Sequence, residues 1–340
     1  MADRTELAFR RAARRLIAPG DTVLAAVSGG GDSVALLHLL SRFARTGRQP
    51  ITVAHLDHAL RRGSAADRRF VERLARDLGH PCVAERRDVA GSRRRSESPE
   101  EAARRVRRAF LLETAQRSGC TRIATGHTLD DQAETILMRL ARGAGATALT
   151  GMAESGPGPF VRPLLGLERA DLRDYLDRHG LAHRDDPSNR DLRFDRNRVR
   201  RLVVPVFASA LNPRAARHVV RAARRIREDA EYLDALADSK LRDCTRRSAR
   251  GRLVIDAAPL ASLTPVLGRR VARLALLEAG ADPRRVGSRH VEALLDLAHG
   301  GRGRAADLPG GLTALRRGPR LVLERRGDAA PSPTTAKTPE

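Results

Sequence analysis

Along the first third of the chain, apolar residues fall in short runs at wide spacing. Residues 22–27, 51–56, 82–86 and 122–125 are brief apolar or β-branched stretches, each the length of a buried strand. Between them, 33–46, 64–79 and 99–118 read as helices, and a further helix is expected from Asp130 to about Arg142. This alternation predicts βαβ units, and so an α/β fold with a parallel sheet and helices on both faces. Ser98-Pro99-Glu100-Glu101 marks a helix start, with proline in the first turn and acids where the helix dipole favours them.

The pattern then changes. Residues 143–163 are rich in glycine and proline and read as loop, and a helix is expected over 167–179. The segment 183–200, HRDDPSNRDLRFDRNRVR, is too polar for a core and reads as surface. Beyond Asn212-Pro213 an arginine-rich helix is predicted to about residue 247. A smaller unit follows from 252 to about 325, with helices near 266–279 and 288–298 and strands near 312–316 and 320–324. The closing GDAAPSPTTAKTPE is poor in apolar residues and is expected to be disordered. No internal repeat is visible.

Charge narrows the function. The formal net charge is +23, with 64 basic residues against 41 acidic ones, and only Lys240 and Lys337 are lysine. Coding bias accounts for arginine replacing lysine but not for the excess of positive charge, which points to a polyanionic partner such as nucleic acid. Aromatics are 3% with no tryptophan, so base stacking on many aromatic platforms is disfavoured. Cys82, Cys120 and Cys244 are odd in number and widely spaced, which argues against a disulfide framework and a cysteine-only metal site. A cytoplasmic location is expected, with no membrane association. No apolar run reaches the roughly 18–20 residues of a membrane span, and MADRTELAFRRAARRLI reads as a first helix rather than a signal peptide.

The first strand empties into Ser28-Gly29-Gly30-Gly31-Asp32-Ser33 and a helix follows at once. The glycine run lets backbone N–H groups converge on an anion at a helix N-terminus, and two serines add hydroxyl donors. The lysine of a kinase-type phosphate loop is missing, and so is the third glycine of a dinucleotide fingerprint. Asp32 beside phosphates is intelligible if Mg²⁺ lies between them, or if it handles another cation. At the carboxyl ends of their strands, residues 55–61 and 127–134 converge on the same crevice. Asp131 and Glu134, three apart at a helix start, share a side. They could bind Mg²⁺, a substrate ammonium, or simply the helix dipole. His55, His58 and His127 have no metal-ligand spacing and suit nucleotide or substrate positioning.

Ser28–Ser33 resembles the SGGxDS loop of the PP-loop ATP pyrophosphatases, which adenylate a substrate and release pyrophosphate. Ala54–Arg61 and Gly126–Thr135 resemble, within that superfamily, two segments of the tRNA(Ile)-lysidine synthetases. Asp186-Pro187-Ser188-Asn189 with Phe194, Arg196, Asn197 and Arg200 resembles a third, and Leu308-Pro309-Gly310-Gly311 matches a turn of their small C-terminal domain. The resemblance covers roughly residues 20–325. It implies a Rossmann-like, adenine nucleotide alpha-hydrolase-like domain over 1–212, a linking arginine-rich helix over 213–250, a smaller, mostly helical tRNA-binding domain over 251–326 and a disordered tail over 327–340.

The activity it implies is ATP-dependent ligation of free L-lysine to C2 of the wobble cytidine in an isoleucine tRNA with a CAU anticodon. ATP and Mg²⁺ are the implied cofactors, with Ser28, Gly29, Gly30, Gly31, Asp32, Ser33 and His55 at the nucleotide and Asp32 at the metal. Asp32, Asp131, Glu134 and His127 carry the chemistry, Asp131 and Glu134 serving to hold the lysine. Arg61, Arg104, Arg107, Arg108, Arg196, Arg198 and Arg200 are the implied RNA contacts. Arg108 stands where the family usually has tyrosine. Two alternatives stay open from the residues alone, a PP-loop tRNA thiolase and a non-catalytic nucleotide-sensing RNA-binding module. A homodimer is among the expectations.

Overall fold

The computed structural model describes residues 3–47, 49–57, 64–95, 97–185, 190–248, 252–283, 285–300 and 305–325. The chain divides into two compact units, Met1–Arg227 and Glu228–Glu340. His58, Arg61, the Asp186–Asn189 segment and the tail 327–340 lie outside the described residues.

In the first unit β1 (Val23–Ala26), β2 (Ile51–Asp57), β3 (Cys82–Arg86), β4 (Arg122–Thr125) and β5 (Phe160–Val161) form a parallel sheet. The strand order is β3-β2-β1-β4-β5. The chain steps outward from β1 to β3, then returns to the other side of β1 for β4. That reversal opens a crevice beyond the carboxyl ends of β1 and β4.

Strand alternation sorts the helices between the two faces. Val23 and Ala25 pack with Phe9 of α1 (Arg4–Leu16), Leu36 of α2 (Gly31–Gly47), Val71 of α3 (Ser64–Asp77) and Leu172 of α7 (Arg169–Arg178). Leu24 faces the other way, onto Phe110 and Leu111 of α4 (Pro99–Arg117). Each fully buried leucine or phenylalanine contributes about 1.5–3 kcal/mol. Helix α4 begins as its sequence predicts, with Ser98 and Glu101 closing a capping box ahead of proline. Helix α5 (Leu129–Ala141) follows β4, and the short α6 (Ala146–Leu149) and β5 both fall inside the expected loop 143–163. A two-residue strand has no period for a sequence to reveal.

The polar segment 183–200 departs from a plain surface loop. It leads into α8 (Asp195–Arg198), a π-helical turn (Val199–Val203) and α9 (Val204–Ala210). Most of its described residues are exposed, as expected, but Arg196 and Arg200 turn inward toward the buried carboxylates of Asp131 and Glu134.

Helix α10 (Ala215–Cys244) carries the boundary between the units. In the second unit β6 (Thr245–Arg247), β7 (Leu253–Asp256), β8 (Ala305–Leu308), β9 (Leu312–Arg317) and β10 (Arg320–Arg325) form an antiparallel sheet in the order β6-β7-β10-β9-β8. With α11 (Ala257–Ala261), α12 (Pro265–Glu278), α13 (Ser288–His299) and the end of α10 it encloses a core around Ile255, Val271, Leu294 and Leu321. Helix α10 stops at Cys244 rather than 247 because residues 245–247 pair with β7. The domain expected to be mostly helical therefore also holds a full sheet, three of whose strands are too short or too polar to stand out. No helix among the described residues is long and apolar enough to cross a membrane.

Candidate functional site

The loop after β1 holds its shape through one hydroxyl. Ser33 Oγ accepts from the backbone N–H groups of Ser28 and Gly29, each at 3.2 Å, and donates to the Gly30 carbonyl at 2.8 Å. Arg184 N–H closes the loop from outside by donating to the Gly29 carbonyl at 2.9 Å. The first N–H groups of α2, at Gly31 and Asp32, have no acceptor within the helix. Strand β4 ends against this turn. A Cβ on Gly126 would stand 3.2 Å from the Asp32 carbonyl oxygen, so glycine is what lets the two loops approach.

Three carboxylates meet three arginines in this crevice. Asp32 enters from α2, and Asp131 and Glu134 from the first turns of α5. Arg169 joins them, with Nε 3.1 Å from Asp32 Oδ2, Nη2 2.9 Å from Asp131 Oδ1 and Nη1 3.6 Å from Glu134 Oε1. Arg196 donates to Glu134 Oε2 at 2.8 Å and to Asp131 Oδ1 at 3.1 Å. Arg200 donates to Glu134 Oε1 at 2.6 Å and to Asp131 Oδ1 at 3.1 Å. Glu134 is 1% exposed and Asp131 6%, so these are desolvated, charge-assisted contacts.

The two oxygens of Asp131 divide the work. Oδ2 accepts from the Thr128 N–H at 2.8 Å and completes a capping box, while Oδ1 takes the arginines. The dipole-capping reading is thus realised by one oxygen, while the other is occupied by arginines. Burial pushes its pKa up, but Arg196, Arg169 and the Thr128 N–H outweigh it and leave Asp131 below the usual carboxylate value. Asp32 goes the other way. Burial raises it, Arg169 opposes, and the Asp131 charge adds to the rise.

Arg169 was not among the residues singled out in the sequence. It sits at the first position of α7, and its N–H donates to Asp130 Oδ2 at 2.7 Å, which ties the starts of α5 and α7 together. One signal was available. A cation in the first turn of a helix opposes the dipole, and such a local mismatch marks a group held by something else.

The histidines flank this cluster. His55 is buried at the end of β2, and its Nδ1 donates to the Val27 carbonyl at 2.9 Å, beside the phosphate loop. His127 Nδ1 lies 2.9 Å from the Thr125 hydroxyl. Burial pushes His127 down to about 4, with Asp131 opposing and Arg162, Arg196 and Arg104 reinforcing, so the imidazole is neutral at neutral pH.

The PP-loop domain family matches residues 5–207. A tRNA(Ile)-lysidine synthase of Geobacter sulfurreducens is 41% identical over 280 residues, covering 81% of this chain and 59% of that protein. One of Salinispora arenicola is 40% identical over 324 residues, covering 93% of this chain and 95% of that one. The chain belongs to the tRNA(Ile)-lysidine synthase family of PP-loop proteins. It thus spans about three-fifths of some of the relatives it matches and nearly the whole of others. The fold is also that of the U34-tRNA thiolase NcsA from Methanococcus maripaludis, with a TM-score of 0.57, 18% identity and coverage of 66% of this chain and 78% of that one.

Within the lysidine synthase family frame, the expected RNA contacts separate. Arg196 and Arg200 point inward at Asp131 and Glu134, whereas Arg198 is half exposed and pairs with Asp195. Arg104 and Arg107 are exposed on α4. Arg108, at the family's tyrosine position, lies 4.5 Å from the centre of the Phe160 ring and donates to the Pro157 carbonyl at 3.2 Å. The cysteines are not set up as thiolates. Burial pushes Cys82 up to about 11 and raises Cys120 and Cys244 as well.

Proposed function

We propose that this chain ligates free lysine to C2 of the wobble cytidine in an isoleucine tRNA with a CAU anticodon, through an adenylated cytidine. The observation that carries this reading is the bridge by Arg169 between Asp32 of the phosphate loop and the Asp131–Glu134 pair, in a chain about 40% identical to tRNA(Ile)-lysidine synthases. The loop N–H groups and α2 start hold the phosphates of ATP. The cytidine O2 attacks the α-phosphorus and pyrophosphate leaves toward those donors. The lysine ε-amine then adds to C2, loses a proton, and AMP departs with the oxygen.

Mg²⁺ fits the site in one way. Among the described residues no three His, Cys, Asp or Glu side chains are gathered as a metal cage. The ion would therefore take Asp32 from the protein and its other ligands from phosphate and water. There it would supply charge neutralisation for the departing pyrophosphate. Asp131 and Glu134 receive the lysine, whose ammonium shares them with Arg196 and Arg200. Neutral His127 accepts or donates one hydrogen bond next to the reacting base without adding charge there.

The test is to incubate the protein with ATP labelled at the α-phosphate, lysine and tRNA bearing the CAU anticodon. AMP release that needs both lysine and tRNA is expected. AMP released without lysine, or none with any tRNA, removes the proposal.

A further inference from the structure

We propose that Arg104, Arg139, Arg162 and Arg227 form a seat for an RNA phosphodiester beside His127, an inference that rests on the tRNA-directed function above. Three of these arginines come from separate elements and gather on the carbonyls of one short loop. Arg139 of α5 donates to Ala148 O at 2.7 Å and to Gly151 O at 3.0 Å. Arg227 of α10 donates to Thr150 O and, at 2.8 Å, to Met152 O. Arg162, just after β5, donates to Ala153 O at 2.6 Å. Gln132 clamps the loop by bonding both the N–H and the carbonyl of Met152, at 2.6 and 2.7 Å. Gly151 has φ +70°, and a Cβ there would lie 2.6 Å from Gln132 Oε1, so the loop has this course only with glycine.

The carbonyls orient these cations without neutralising them. Among the described residues none of the four arginines has a carboxylate partner. A guanidinium has five N–H donors, and the carbonyl contacts use only some of them. Arg162 Nε is buried and has no partner at all. Burial, and after it the charge of Arg104, lowers the pKa of both Arg139 and Arg162. Val161 pairs with Ala124 on β4, and its carbonyl accepts from Thr125 Oγ1, which lies 2.9 Å from His127 Nδ1, so the neighbouring Arg162 borders the crevice. Arg104 stands one turn before Arg108, whose guanidinium lies over Phe160 at the start of β5. Like charges fixed side by side on neutral dipoles are relieved by an anion from outside, and planar guanidinium groups suit phosphate oxygens.

The phosphates of ATP already have the start of α2, on the β1 side. The arginine cluster hangs instead on the loop after α5. A nucleotide reacting in the crevice while still part of an RNA chain carries a phosphodiester on each side, and such contacts fix the register of the strand. Arg107 and Arg108 continue the positive surface along α4.

The experiment measures binding of the CAU-anticodon tRNA and, separately, of ATP over a range of salt, for the wild type, Arg162→Gln and Arg104→Gln. Each variant is expected to weaken tRNA binding about tenfold and to lower the slope of log affinity against log salt by about 0.7–0.9, with ATP affinity unchanged. Arg104 makes no hydrogen bond to the loop, so Arg104→Gln carries the test if Arg162→Gln fails to fold. Unchanged tRNA affinity and salt slope overturn the seat and leave the arginines as loop fasteners. Loss of ATP affinity with tRNA binding intact also overturns it and assigns the cluster to the triphosphate. A wild type that binds no tRNA removes both this seat and the function it rests on, whereas wild-type binding with indifferent variants removes the seat alone.

Discussion

Arginines flank His127 in two groups that share a chemistry and differ in their partners. Arg169, Arg196 and Arg200 lie on Asp32, Asp131 and Glu134, three cations on three anions, with Asp131 and Glu134 buried. Arg139, Arg162 and Arg227 lie on backbone carbonyls, and Arg104 adds its charge to theirs. In the first group the charges balance, and it ties α5, α7 and α8 together. The second has charge left over. A net charge of +23 therefore says little about any single arginine. The acids nearby decide which cations are spent internally.

The largest expected effect comes from unbalancing the first group. Glu134→Gln leaves Arg196 and Arg200 without their main anion in a buried site and should destabilise the fold by about 3–5 kcal/mol in denaturant unfolding. A loss under about 1 kcal/mol breaks the comparison, because the carboxylate would then not be what anchors these arginines. Gly151→Ala strains the loop beneath the second group and should remove about 1–2 kcal/mol, read as a lower Tm, while the first group stays intact.

The smallest effect is the most discriminating. His127 feels both groups, so its titration reads each separately. Arg162→Gln should raise its pKa from about 4, and Asp131→Asn should lower it further, both followed by NMR of the imidazole. The folded value of about 4 lies below the ordinary 6.5, so neutral His127 contributes stability that is present above pH 6.5 and drains away as pH falls toward 4. Arg162→Gln should make that acid slope shallower. Equal titration in both variants would mean that Arg162 and Asp131 do not act on His127 in opposite senses.

The sequence carried the long periodic elements well. Strands β1 to β4 and helices α2 and α4 announce themselves through apolar runs, a glycine loop and a proline followed by acids at a helix start. Asp32, Asp131 and Glu134 were legible because carboxylates directly after parallel strands can only face the crevice. Direction was not legible for arginine, whose long stem reaches either way. Arg196 and Arg200 read as outward RNA contacts, yet their guanidinium groups lie on Glu134. Strand β5 and the three extra strands of the second unit are set by their neighbours, since two to four residues hold too little pattern of their own.

Ser33 places its hydroxyl where two loop N–H groups already converge, and so plays the part of an anion's oxygen on the protein's own account. The turn is therefore shaped before any nucleotide arrives. Binding then exchanges one acceptor for another instead of ordering a floppy segment. The entropy that a flexible glycine loop would surrender on meeting its ligand has been given up once, when the chain folded.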